Sequence, residues 1–197
     1  MKKIILASKS PRRIELLASY GVDAVSVASD VDESIPEDIK EPQRIVEYLS
    51  EKKALSVFDK CKGGEIVIAA DTLVFCGEEI LGKPENIDDA RRMMKLLSDN
   101  THSVITGMCI VSPERKITDS TITNVLFKKL SDEEVEEYIR TKDPYDKAGG
   151  YGIQSLGGKF VREIHGDYYN VVGLPISKLL EILKNEFGYS ATVGEIK

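Results

Sequence analysis

Ser8-Lys9-Ser10-Pro11-Arg12-Arg13 places two hydroxyls and two guanidinium groups in one short stretch. Residues 4–7 before it (Ile-Ile-Leu-Ala) are an apolar run that reads as a buried strand. Pro11 fits the first position of a following helix. A strand that turns into a helix N-terminus presents backbone N–H groups and a partial positive charge, so its natural guest is a phosphate. The stretch is not a Walker A loop, which needs Gly-x-x-x-x-Gly-Lys-Ser/Thr. Asp71 follows the apolar run 65–70, at the kind of strand end where α/β sheets hold ligands, although an Asp there also suits a turn. Asp30, Asp32 and Glu33 form an acidic loop, most of which reads as a solvated face. Hard divalent cations prefer carboxylate oxygens, so one of these acids with Asp71 could supply the two that a metal–phosphate site needs. Lys53 lies late in a helical segment, whereas Lys83 is stiffly set between Gly82 and Pro84. Gln154, in a glycine-rich loop, offers the donor and acceptor that reading a base edge requires. His102 and His165 lack metal-ligand spacing and read as structural.

These residues need a scaffold, and the pattern predicts an alternating one. Strands are expected over 4–7, 22–27, 65–70 (ending at Asp71-Thr72, with 73–75 continuing extended), 104–112 (interrupted at Thr106-Gly107), 117–128 and 160–164. Helices are expected over 11–20, 41–59, 86–99, 131–141 and 175–188, with Gly21 as a stop and Ser131/Glu134 as a capping box. Residues 166–173 read as a loop, and the last nine residues as frayed. Residues 143–158 hold five glycines, which points to a functional loop. The result is one α/β domain over residues 1–197, with a mixed sheet packed by helices.

Composition excludes several roles. A formal net charge of −6 leaves no basic excess for a nucleic acid polymer. Cys61, Cys76 and Cys109 are widely spaced and contain no Cys-x-x-Cys pair, as expected of a reduced, cytoplasmic protein without a zinc site. The apolar run at 4–7 is too short for a signal peptide, and no segment is long enough to span a membrane.

The string Leu6-Ala7-Ser8-Lys9-Ser10-Pro11-Arg12-Arg13 with Glu15-Leu16-Leu17 resembles the opening motif of the Maf proteins. The resemblance continues through Asp32-Glu33, Lys53-Ala54, Ala70-Asp71-Thr72, Gly82-Lys83-Pro84, Thr106-Gly107, residues 149–154 and residues 166–175. Maf proteins are nucleoside triphosphate pyrophosphatases, historically linked to septum formation. The resemblance implies a mixed, curved sheet flanked by helices, in two lobes with a cleft, an architecture shared with the inosine triphosphate pyrophosphatases (Ham1). It implies hydrolysis between the α- and β-phosphates, giving a monophosphate and pyrophosphate, and it suggests a homodimer. Asp71 matches the family's proton acceptor. Arg12, Thr72 and Gln154 match the positions that separate base preferences, in the forms of the dTTP/UTP branch, while Ser155 departs from the glycine expected after Gln154.

On this reading Ser8, Ser10 and Arg13 hold the triphosphate, and Lys53 and Lys83 neutralise the departing phosphates. Glu33 and Asp71 hold Mg²⁺ or Mn²⁺. A nucleotide-sensing regulator of division without turnover, or a pyrophosphatase preferring purines or 7-methyl-GTP, would use the same pocket. The acidic pair favours an enzyme, because carboxylates repel phosphate unless a metal intervenes.

Overall fold

The computed structural model describes residues 2–191. The chain forms two compact units. Unit 1 takes the described parts of Met1–Asp71, Thr106–Thr121 and Gly173–Lys197, and unit 2 takes Thr72–Ile105 and Ile122–Val172. The elements in order are β1 (Ile4–Leu6), α1 (Pro11–Ser19), β2 (Ala24–Ser26), α2 (Pro42–Phe58), β3 (Ile66–Cys76), β4 (Glu79–Leu81) and α3 (Ile87–Leu97). They are followed by β5 (Thr101–Val111), β6 (Lys116–Phe127), α4 (Asp132–Ile139), β7 (Val161–His165), α5 (Tyr168–Val172) and α6 (Ile176–Phe187). Among the described residues the strands form a mixed sheet of order β2-β1-β3-β5-β6-β7, with β4 paired to β3. The expected α/β class with a mixed sheet and packed helices is what the chain adopts.

In unit 1, β1 is parallel to both β2 and β3, with Leu6 opposite Ser26 and Ile68. Strands buried on both faces read as unbroken apolar runs rather than alternating ones, and Ile66 to Ala70 is such a run, wholly inaccessible. Ile5, Ala7, Val67, Ala69, Cys109 and Val111 meet Ala54 and Val57 of α2 in one apolar cluster. Two expectations fail here. The strand does not stop at Asp71, because β3 runs through it to Cys76. Nor is there a break at Thr106-Gly107, since β5 is continuous. Gly107 serves packing instead: a Cβ there would lie 2.3 Å from the Val46 carbonyl oxygen and 2.7 Å from the Glu47 nitrogen. The glycine lets the backbone of α2 lie directly on the strand. After α6, Gly188 takes the left-handed conformation and the Tyr189 N–H bonds the Leu183 carbonyl at 2.9 Å. Tyr189 is therefore held where fraying was expected; residues 192–197 lie outside the described residues.

In unit 2, α3 is capped by the Asn86 side chain, and the Ser131/Glu134 capping box of α4 forms as expected. Residues 166–173 are not all loop. The Asp167 carboxylate accepts from the Tyr169 N–H at 2.7 Å and the Asn170 N–H at 3.3 Å, which starts the short helix α5. Met93, Met94, Leu97, Val125, Phe127, Tyr138 and Phe160 build the core. His102 is buried in it, with Nε2 2.7 Å from the Tyr151 hydroxyl and the ring edge-on to Phe127 at 5.0 Å. Its Nδ1 is buried with no hydrogen-bond partner among the described residues. Burial pulls the imidazole down from 6.5 to about 4, so it is neutral in the folded protein at ordinary pH.

Two outcomes follow. Gly107→Ala should lower unfolding free energy by about 2–3 kcal/mol, because the added methyl meets backbone that cannot step aside; urea denaturation checks this. The second concerns acid. Between pH 6.5 and about 4 the unfolded chain protonates His102 and the folded chain does not. Stability is fully present above that window and falls by roughly 3 kcal/mol as pH drops through it, at about 1.4 kcal/mol per pH unit. In His102→Gln this component should vanish. A wild-type-minus-variant stability difference that stays flat across the window would contradict the assignment.

Candidate active site

The turn after β1 is built in unit 1 by short-range bonds. Ala7 N–H donates to the Ile68 carbonyl at 2.7 Å, which is the last ladder bond before the chain leaves β3. The Ser26 hydroxyl donates to the Ser8 carbonyl at 2.6 Å, and Ser8 Oγ accepts from the Ser10 N–H at 3.2 Å. Ser10 is the N-cap of α1 but makes no side-chain cap bond, and Pro11 opens the helix. The positive end of the α1 dipole and two serines thus share one turn. Arg13 is committed in an unexpected direction. Its Nε donates to the Gly173 carbonyl at 2.8 Å, and its Nη1 donates to the Ala70 carbonyl at 2.8 Å and reaches Ser8 Oγ at 3.4 Å. Burial draws its pKa down, and the charge of Asp71 opposes that. Arg13 therefore ties the phosphate-type turn to the residue immediately before Asp71.

Asp71 lies in mid-strand and is 7 % exposed. Its Oδ1 is ion-paired with Lys53 Nζ, which α2 delivers across the strand, and the same ammonium lies 2.9 Å from Glu33 Oε1. Among the described residues no group donates a hydrogen bond to Asp71 Oδ2. The acidic loop is sorted by this geometry. Asp32 turns back on Ser34, whose hydroxyl and N–H hold its pKa below the usual carboxylate range. Asp30 pairs with Lys9 at 3.8 Å in the open. Glu33 is the acid that faces Lys53. Ser8, Ser10, Arg13, Glu33, Lys53 and Asp71 therefore all belong to unit 1, with half-buried Arg12 on the first turn of α1. No cluster of three or more His, Cys, Asp or Glu side chains is placed to enclose a metal among the described residues.

Thr72, Lys83 and Gln154 belong to unit 2. Lys83 and Gln154 are exposed, and their segments are joined locally: Gly149 N–H donates to the Gly82 carbonyl at 2.9 Å. A Cβ on Gly150 would come to 3.0 Å from Pro84 Cγ, so the glycine pair lets the two segments close. Sequence reasoning missed the hub of this loop. Asp143 Oδ2 accepts from the Tyr138 hydroxyl at 2.7 Å, the Ser155 hydroxyl at 2.9 Å and the Gly157 N–H at 3.2 Å. Lys147 Nζ lies 3.1 Å from Asp143 Oδ1. Burial opposes the charge of Asp143, and the bonds from Tyr138, Ser155 and Lys147 overcome it, leaving its pKa lowered. Burial, with Asp143 as acceptor, pushes the Tyr138 phenol far up, so it keeps its proton and donates. The available signal was an Asp opening a glycine-rich stretch with Lys four residues on. Among the described residues, no helix is long and apolar enough to cross a membrane.

Comparison with known proteins agrees with the residue pattern. The family model described as Maf-like protein matches residues 3–186. The chain is 52% identical over 194 residues to a dTTP/UTP pyrophosphatase of Thermosipho africanus, covering 98% of each chain. It is 49% identical to one of Alkaliphilus oremlandii, covering 95% of this chain and 97% of that one. Among solved structures, the Ham1 protein of Staphylococcus aureus is 13% identical over 81% of this chain and 80% of its own, with a TM-score of 0.46.

The Asp71–Lys53 pair has side chains only 9% and 11% exposed, so its loss can be read in stability alone. Lys53→Met strands a buried carboxylate and should cost about 3 kcal/mol. Adding Asp71→Asn to that variant should recover part of the loss. A double-mutant cycle in urea tests this, and strictly additive effects would refute the coupling.

Proposed function

The chain belongs to the Maf family, and from that premise we propose that it hydrolyses dTTP and UTP to their monophosphates and pyrophosphate, clearing such nucleotides from the pool. The observation that carries the reading is Asp71 itself: a buried carboxylate with one oxygen on a cation and, among the described residues, no hydrogen-bond donor on the other. An uncommitted oxygen is what a general base needs. Two relatives at about half identity, each carrying the name dTTP/UTP pyrophosphatase, support the substrate class.

Ser8, Ser10 and the N-terminus of α1 bind phosphate oxygens. Arg13 contributes charge from behind the turn while it fixes the Ala70 carbonyl, and hence the strand that carries Asp71. Glu33 and Asp71 fit a divalent cation, because their carboxylates already converge on one positive charge, the ammonium of Lys53. Two carboxylates with substrate phosphates are a usual ligand set for Mg²⁺. Mg²⁺ or Mn²⁺ bound there would neutralise phosphate charge and polarise the phosphorus under attack. Lys53 and Lys83 offset the negative charge that collects on the leaving pyrophosphate. Asp71 accepts the proton of the attacking water, either directly or, because a bound cation lowers its basicity, by way of water held at that cation. Arg12, Thr72 and Gln154 discriminate the base.

The test is turnover of a panel of canonical triphosphates with Mg²⁺ or Mn²⁺, scoring pyrophosphate and orthophosphate separately. Pyrophosphate should form from dTTP and UTP, and Asp71→Asn should lower kcat by about 10²–10⁴ while the variant still unfolds cooperatively. Orthophosphate as the only product would overturn the proposed bond. No turnover of any triphosphate would overturn the enzyme reading.

A further inference from the structure

We propose that Ser155 is a positioning residue for base selection: through Asp143 it fixes the turn that presents Gln154. This rests on the reading above, in which Gln154 meets the base. The side chain of Gln154 is exposed and makes no hydrogen bond among the described residues, so what the fold fixes is the position of its backbone. That backbone is pinned on both sides. Ser155 N–H donates to the Gly152 carbonyl at 3.2 Å, closing a turn over residues 152–155, and Gly158 N–H donates to the Ser155 carbonyl at 3.0 Å.

The Ser155 hydroxyl has a single proton and two acceptors in range, Asp143 Oδ2 at 2.9 Å and the Gly152 carbonyl at 3.1 Å. A bond to an ionised carboxylate is the stronger, so the proton belongs to Asp143. Asp143 in turn is anchored, since Tyr138, Gly157 and Lys147 hold its two oxygens and its side chain is only 12% exposed. Ser155 is thus the link between a fixed carboxylate in unit 2 and the residue next to it in sequence, Gln154. The surrounding glycines keep this link open. A Cβ on Gly152 would come to 2.4 Å from Ser155 Oγ and 2.6 Å from Lys147 Cε, and a Cβ on Gly158 to 2.3 Å from the Ile153 carbonyl oxygen. The close approaches at Gly152 and Gly158 transmit the position of Asp143 to the turn, although Ser155 itself is exposed.

The experiment measures kcat/KM for dTTP, UTP, dCTP and dGTP on Gln154→Ala, Ser155→Ala and Ser155→Thr. Ser155→Ala should reduce the preference for dTTP over dCTP and dGTP by about fivefold, the worth of one ordinary hydrogen bond, and do so chiefly through KM. Ser155 is extended (φ −124°, ψ −158°), a conformation that suits β-branched residues, so Ser155→Thr should restore the preference to within about twofold. A merely structural role would lower activity on every base alike. If Gln154→Ala relaxes selectivity and Ser155→Ala does not, the inference is overturned and the reading of Gln154 stands. If neither changes selectivity, both fall.

Discussion

A buried carboxylate in the middle of a strand needs a cation, and in unit 1 that requirement organises everything else. Removing an ion from water costs several kcal/mol even after the protein relaxes. Asp71 meets that cost with Lys53, so the helix carrying Lys53 must lie close over the sheet. Gly107 is where that closeness is achieved, because the α2 backbone at Val46 occupies the space a side chain on β5 would need. A glycine on one strand, a lysine on a helix and an aspartate on another strand are therefore parts of one geometric condition.

The β1 end answers to the same condition from the other side. β1 pairs with β3 only as far as Leu6 and Ile68, after which the Ser8–Ser10 turn draws the chain away. The Ala70 carbonyl is then beyond the ladder and must find a donor elsewhere. Arg13 supplies it, and adds a bond to the Gly173 carbonyl before α6. A side chain whose type suggests phosphate binding thus also holds three chain segments together. Both uses suit a planar, permanently charged fork of donors.

Much of this could be read from residues, and what could not has physical causes. Apolar runs located β1 and the first half of β3, and Pro11, Asn86 and Ser131 located helix starts, because these signals act over a few residues. Asp71 was misread as a strand end, since an acid after an apolar run ordinarily marks the edge of burial. Here the pairing partner 18 residues earlier in sequence, Lys53, makes burial tolerable. Thr106-Gly107 looked like an interruption because glycine weakens strands locally. The compensating contact with Val46 is long-range and leaves no local trace. The expected loop at 166–173 hid α5 for a related reason: one side chain, Asp167, decides it. Among the acids at 30–33, the choice of Glu33 as the one facing Lys53 depends on a loop path that composition does not encode.

The two buried aspartates show how one residue type is assigned different work by its partners. An ionised carboxylate has about four lone-pair sites. In Asp143 one oxygen accepts from a phenol, a serine hydroxyl and a backbone N–H and the other faces a lysine, and together these bonds hold its pKa down against burial. Asp71 has a side chain buried to a similar degree but, among the described residues, is met at one oxygen, by an ammonium that it shares with an exposed glutamate. Under-coordination at a buried charge costs stability, and a protein selected for stability alone would have closed it as it closed Asp143. The contrast in their partners, more than the burial of either, separates these two residues.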